Sequence, residues 1–98
     1  MPSSIRTITR VIAKPDCGAV VKSLLQSLVF PSREEPGCLG YELWQGLHGS
    51  EFVTIGDWQD EVALVAHLRS AHIYEFSTEV VEYLAHPPDV QWYGQVEA

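Results

Sequence analysis

Residues Ile5–Lys14 mix apolar and polar side chains, are rich in β-branched types, and stop before Pro15. This pattern predicts a first strand. Pro15-Asp16-Cys17-Gly18 reads as a turn, with Asp16 placed to cap a helix. Val20, Val21, Leu24, Leu25, Leu28 and Val29 then recur on one helical stripe, the strongest periodic signal in the chain. That helix is expected to end near Phe30, because Pro31 lacks an N–H and its ring disfavours continuation. Ser32–Gly37 is a polar loop closed by Pro36-Gly37. From Cys38 to Leu47 the alternation returns, with Leu39, Tyr41, Leu43 and Leu47 on one face and Glu42 and Trp44 on the other. His48-Gly49-Ser50 turns the chain into a third strand that ends at Trp58, so strands two and three form an antiparallel hairpin.

A second cap signal at Asp60 precedes Leu64, Val65, Leu68 and Ala71 at helical spacing. A further helix or bend continues from His72 to about Tyr83, with Phe76, Val80, Val81 and Leu84 as its apolar side. Pro87-Pro88 breaks it. Val90, Trp92, Gly94 and Val96 then alternate with Gln91, Tyr93 and Gln95 in a fourth strand. The order β-α-β-β-α-β predicts an α+β, ferredoxin-like antiparallel sheet. The 98 residues form one predicted domain, with no linker and no repeat. Aromatic side chains on both faces of strands two and four predict that both faces are covered. A second copy of the sheet is the economical cover, giving a homodimer.

Composition narrows the partners. Six Lys and Arg against thirteen Asp and Glu give a net charge of −7, with no basic cluster. Nucleic acid and anionic membrane both call for the opposite sign. No apolar run approaches the roughly 20 residues of a membrane helix, and the N-terminal residues lack the apolar block of a signal peptide. Cytoplasmic location is therefore expected. Cys17 and Cys38 lack metal-ligand spacing and are expected to be reduced thiols.

The stretch Ser32-Arg33-Glu34-Glu35-Pro36-Gly37-Cys38-Leu39-Gly40-Tyr41-Glu42-Leu43, continuing through Phe52-Val53, Asp57-Trp58, Glu61, Ala63-Leu64, His67, Ser70 and His72, resembles the antibiotic biosynthesis monooxygenase family. Its members share a Ser-Arg-x-Glu-Pro-Gly-Cys loop before strand two, a Trp ending strand three and a helix bearing a His. The resemblance implies a dimeric α+β barrel. It also implies a cofactor-independent oxidation of a phenolic, quinol or polyketide-like aromatic substrate by dioxygen. Many members carry a Glu two residues before the Trp, where this chain has Gly56. That change is expected to open space on the sheet and widen a pocket.

The residues expected to carry the chemistry are His67, as base or hydrogen-bond partner, and Trp58, as an apolar platform. His67 is placed at the rim of the buried stripe, so its replacement by Ala is expected to cost about 1 kcal/mol or less. Tyr41, Trp44, His72, Tyr74 and Phe76 are the expected substrate-binding side chains. Arg33 is expected to pair with a neighbouring Glu. His67 and His72 are five apart, do not superpose on one helix face and have no obvious third ligand, so no metal site is expected. No GxSxG, P-loop or GxGxxG sequence occurs, and flavin and nicotinamide have no visible binding element. A haem-degrading relative would need an Asn on strand one, which is missing. A non-catalytic small-molecule-binding or structural dimer of the same fold is the alternative, favoured by Gly56.

Overall fold

The computed structural model describes residues 4–97; Met1–Ser3 and Ala98, with the N-terminal reading that touches them, lie outside it. The elements are β1 (Ile5–Ile12), α1 (Gly18–Arg33), β2 (Cys38–Gln45), β3 (Glu51–Trp58), α2 (Glu61–Leu68), α3 (Ala71–Val80), a 3-10 turn (Val81–Tyr83) and β4 (Asp89–Gly94). The sheet order is β2-β3-β1-β4, with every pairing antiparallel. This is the ferredoxin-like α+β arrangement that the periodicity predicts. No described helix is long and apolar enough to cross a membrane.

The helices lie on one face of the sheet. Val11, Val21, Leu25, Leu28, Phe52, Val80 and Leu84 meet there as the larger core. A second cluster forms around Trp58, with Tyr41, Ala63 and Leu64. Strand three alternates without fault: Phe52, Thr54, Gly56 and Trp58 are buried, and the residues between them are half-buried.

Several local predictions give way to tertiary contacts. Helix α1 continues through Pro31 to Arg33. Proline there costs one backbone hydrogen bond near the helix end. Ser32 is fully buried, and Arg33 Nε donates to the Tyr41 carbonyl at 2.9 Å, so packing against β2 holds the last turn. Arg33 therefore serves a backbone carbonyl rather than a Glu side chain. Asp16 takes a positive φ of 66° and gives no side-chain cap; Cys17 occupies the N-cap position. A β-bulge sets Cys38 opposite Trp58 and Gly40 opposite Asp57. The extra residue, Leu39, is thereby turned outward and exposed, and Cys38 takes its inner place. Leu47 lies beyond β2 and is exposed, as is Val96 beyond β4.

Gly56 does not open the sheet. A Cβ built there would stand 2.8 Å from Trp58 Nε1 and 3.0 Å from Thr7 Oγ1. The indole lies in the space that the missing side chain leaves, and its N–H donates to Thr7 Oγ1 at 3.2 Å. The widened pocket expected at Gly56 is thus filled by Trp58. Replacing a strand glycine by alanine ordinarily adds stability. Gly56→Ala is expected instead to cost about 1–3 kcal/mol through overpacking, read as a lower urea midpoint. An unchanged or raised midpoint would show that the indole is free to move away.

Candidate functional site

The loop after α1 carries the decisive side chain. The Glu35 N–H donates to the Ser32 carbonyl and the Cys38 N–H to the Glu35 carbonyl, so the loop coils tightly onto the end of the helix. Gly37 has φ of +83°, and a Cβ there would meet the Ala63 Cβ at 2.5 Å. Only glycine lets the loop backbone approach α2 this closely. The Gln59 N–H donates to the Gly37 carbonyl at 2.9 Å and ties the loop to the start of α2. The Glu35 carboxylate is thereby aimed at the joint between α2 and α3.

That joint is built by two caps. The Asp60 carboxylate accepts from the Ala63 N–H at 2.9 Å and starts α2, as its sequence position predicts. At the far end Ser70 accepts from the Ile73 N–H and donates to the His67 carbonyl, closing α2 and opening α3. His67 thus ends one helix and His72 begins the next. The geometric objection to pairing them, which assumes one continuous helix, does not hold.

Glu35 lies between the two imidazoles. His67 Nδ1 is 2.6 Å from Glu35 Oε1, a hydrogen bond. His72 Nε2 and Glu35 Oε2 stand 2.9 Å apart without hydrogen-bond alignment, so both atoms are buried with no hydrogen-bond partner. The His67 side chain is 5% exposed and the Glu35 side chain 15%, while His72 is 25% exposed and forms the solvent edge. The His67 ring lies against Trp58, centroids 4.3 Å apart, and near Tyr41 at 5.5 Å. Burial lowers the His67 pKa below its ordinary value, against the pull of the Glu35 hydrogen bond and charge. Its neutral form donates from Nδ1 to the carboxylate. Burial raises the Tyr41 phenol and the Cys38 thiol, so both stay protonated at neutral pH.

The structure brings His67, His72, Trp58 and Tyr41 into one cluster and leaves the other expected residues outside it. Trp44 is exposed on the opposite sheet face, where its indole N–H donates to the Glu42 carboxylate. Tyr74 is exposed on α3. Phe76 is half-buried and lines a separate apolar groove of about 330 Å³ with Val80, Val81, Leu84 and Pro87. His67 is not a rim residue. The buried face of α2 is Ala63, Leu64 and His67, while Leu68 and Ala71 point outward. Its loss would strand the buried Glu35 carboxylate, at about 2–4 kcal/mol rather than the 1 expected from position alone. Glu35 itself is absent from the sequence-derived site. Its only signal was membership in the Arg-x-Glu-Pro-Gly-Cys loop.

A four-stranded antiparallel sheet with helices packed on one face defines the α+β class, and solved structures of that class superpose closely. PA3566 from Pseudomonas aeruginosa aligns with a TM-score of 0.92 at 30% identity, covering 99% of this chain and 98% of that one. Rv0793 of Mycobacterium tuberculosis, provisionally named a monooxygenase, is 31% identical over 87 residues, spanning 89% of this chain and 86% of the relative. YcnE of Bacillus subtilis, named in the same way, is 38% identical over 79 residues, spanning 79% and 82%. Residues 4–79 match the family model described as antibiotic biosynthesis monooxygenase. The chain belongs to that family, and a monooxygenase-like function follows at that level of description.

The depressed His67 pKa has a signed consequence. An unfolded imidazole titrates near 6.5, and the folded one binds its proton less readily. Its contribution is therefore complete above about pH 6.5 and is lost as pH falls through that value. Glu35, His72 and the Tyr41 phenol are the titratable groups around it. The urea midpoint, measured with a chelator present, is expected to fall between about pH 7.5 and about 5, and less steeply in His67→Gln. Parallel slopes in the two proteins would remove His67 as the source.

Proposed function

We propose that this chain is a cofactor-independent monooxygenase that oxidises a phenolic, quinol or polyketide-like aromatic small molecule with dioxygen, acting as a homodimer. The observation that carries the reading is the Glu35 carboxylate held between His67 and His72 beside Trp58. An electron-rich phenol needs little else from a protein. The phenol O–H first loses its proton. The phenolate passes one electron to dioxygen, and the resulting radical pair combines to form a carbon–oxygen bond at a ring carbon. The carbon-bound peroxide then loses water as that carbon becomes a carbonyl. One oxygen atom ends in the product and one in water, and the substrate supplies every electron.

The proton acceptor has to be reachable. His72 is the cluster's solvent edge, and because its Nε2 is buried facing Glu35, a phenol would meet the imidazole at its other ring nitrogen, with Glu35 and His67 behind it. Trp58 backs the cluster as a rigid apolar wall. The separate groove lined by Phe76, Val80 and Leu84 has the size and apolar lining of a small-molecule seat, and Phe76 lies one helical turn beyond His72 on α3. Desolvation there favours an uncharged aromatic substrate over water.

The homodimer reading is supported by the sheet face away from the helices. Trp44 and Tyr93 are exposed there, around half-buried Ile8, Ile12, Val53 and Ile55, and the Arg6–Asp57 and Arg10–Glu51 ion pairs fringe the patch. A second reading, a non-catalytic binding or structural dimer, is favoured by one observation: side chains already fill the space over Gly56.

Two measurements test these readings. Oxygen uptake with a panel of anthrols, naphthols and hydroquinones, without added cofactor, is expected to give turnover that falls roughly 100-fold in His72→Ala, the usual scale of one acid–base group. Folded protein that takes up no oxygen across the panel would leave the non-catalytic dimer standing. Sedimentation at micromolar concentration is expected to give twice the chain mass, and a monomer there would refute the facing-sheet arrangement.

A further inference from the structure

We infer that Glu35, His67 and His72 form a binding site for a divalent first-row transition-metal ion. The three side chains present one carboxylate oxygen and two imidazole nitrogens, all within 4.8 Å of one another. Tetrahedral ligands on bonds of about 2.0–2.1 Å lie roughly 3.4 Å apart. His67 Nδ1 stands 2.6 Å from Glu35 Oε1 and His72 Nε2 2.9 Å from Glu35 Oε2, both below that spacing, and the set with one atom from each residue extends above it, to 4.8 Å. Small side-chain rotations therefore bring all three donors onto one ion.

A second observation points the same way. Glu35 Oε2 and His72 Nε2 are buried, face each other, and satisfy no hydrogen bond. Buried polar atoms almost always find a partner, and an ion between these two would supply one to both. The proton that His67 places on Nδ1 can sit on the other ring nitrogen once a metal takes that lone pair. Two imidazoles with one carboxylate suit zinc, cobalt, iron or manganese rather than magnesium or calcium, which prefer all-oxygen shells. The three donors come from the chain interior, and His72 marks the only member with appreciable exposure. A bound ion would keep its open coordination position on that side.

The ion would occupy the same cluster as the proton transfer proposed above. Binding is tested without substrate, which separates this inference from the oxygenase reading. Chelator-stripped protein is titrated with Co²⁺ and Zn²⁺, followed by the Co²⁺ ligand-field spectrum and by calorimetry. One ion per chain is expected, with the intense visible bands of low-coordinate Co²⁺ that Zn²⁺ then bleaches. His72→Ala, at the solvent edge, is expected to weaken binding at least about 100-fold, beyond the 10–100-fold usual for a residue that only supports a ligand. Glu35→Gln should do the same, with circular dichroism confirming its fold. His48→Ala and His86→Ala, both on exposed positions outside the cluster, should bind as the parent does. Parent protein that binds neither ion at millimolar concentration, or His72→Ala that binds as tightly as the parent, would overturn the site.

Discussion

A carboxylate held inside a small protein is the constraint around which this fold is arranged. Charge out of water is costly unless it is paired and hydrogen-bonded. Glu35 has one oxygen hydrogen-bonded to His67 and the other facing His72, two imidazoles drawn from different helices. Each surrounding feature follows from delivering those partners. The loop must press against α2, so position 37 has no side chain. The helical segment must break between the histidines, so Ser70 caps both pieces. His67 must turn inward, so Trp58 receives its ring and itself lies back over Gly56.

The packing divides accordingly. The larger core, from Val11 through Leu84, is aliphatic apart from Phe52 among its buried members, with Phe76 and Tyr83 packed at its edge. The smaller one, around Trp58, sandwiches polar chemistry between α2 and the sheet. The two clusters are distinct, and α1 reaches both, with Val21, Leu25 and Leu28 in the first and Val29 against the second. The outer sheet face follows a third logic: aromatic and aliphatic side chains sit within a fringe of paired charges, a composition suited to contact with another folded surface.

Much of this was legible from periodicity. Strand three alternates cleanly because one face is buried throughout, and α1 shows its stripe because Val21, Leu25 and Leu28 point into the larger core. The failures have physical causes. Pro31 is a local signal overruled by the burial of Ser32 and the Arg33 bond to β2. Leu39 is displaced by a bulge that no alternation rule can see. His67 looked peripheral because Leu68 and Ala71 extended the apparent stripe past the true end of α2. Glu35 was hidden because a loop carboxylate next to Glu34 reads as a solvated charge, and only the three-dimensional approach of loop to helix joint distinguishes the two.

The joint at Arg69-Ser70 has one further consequence. Successive residues of an α-helix are rotated by about 100° about its axis, and the joint fixes the rotational phase of α3 relative to α2. With this spacer His67 and His72 converge on Glu35. A single inserted or deleted residue would swing the second imidazole off the cluster while leaving both caps, both helices and the sheet able to form. Spacer length at this position thus works as a switch in sequence space. Neighbouring sequences on either side of it share one architecture, and only one of them has a buried carboxylate clasped from both sides.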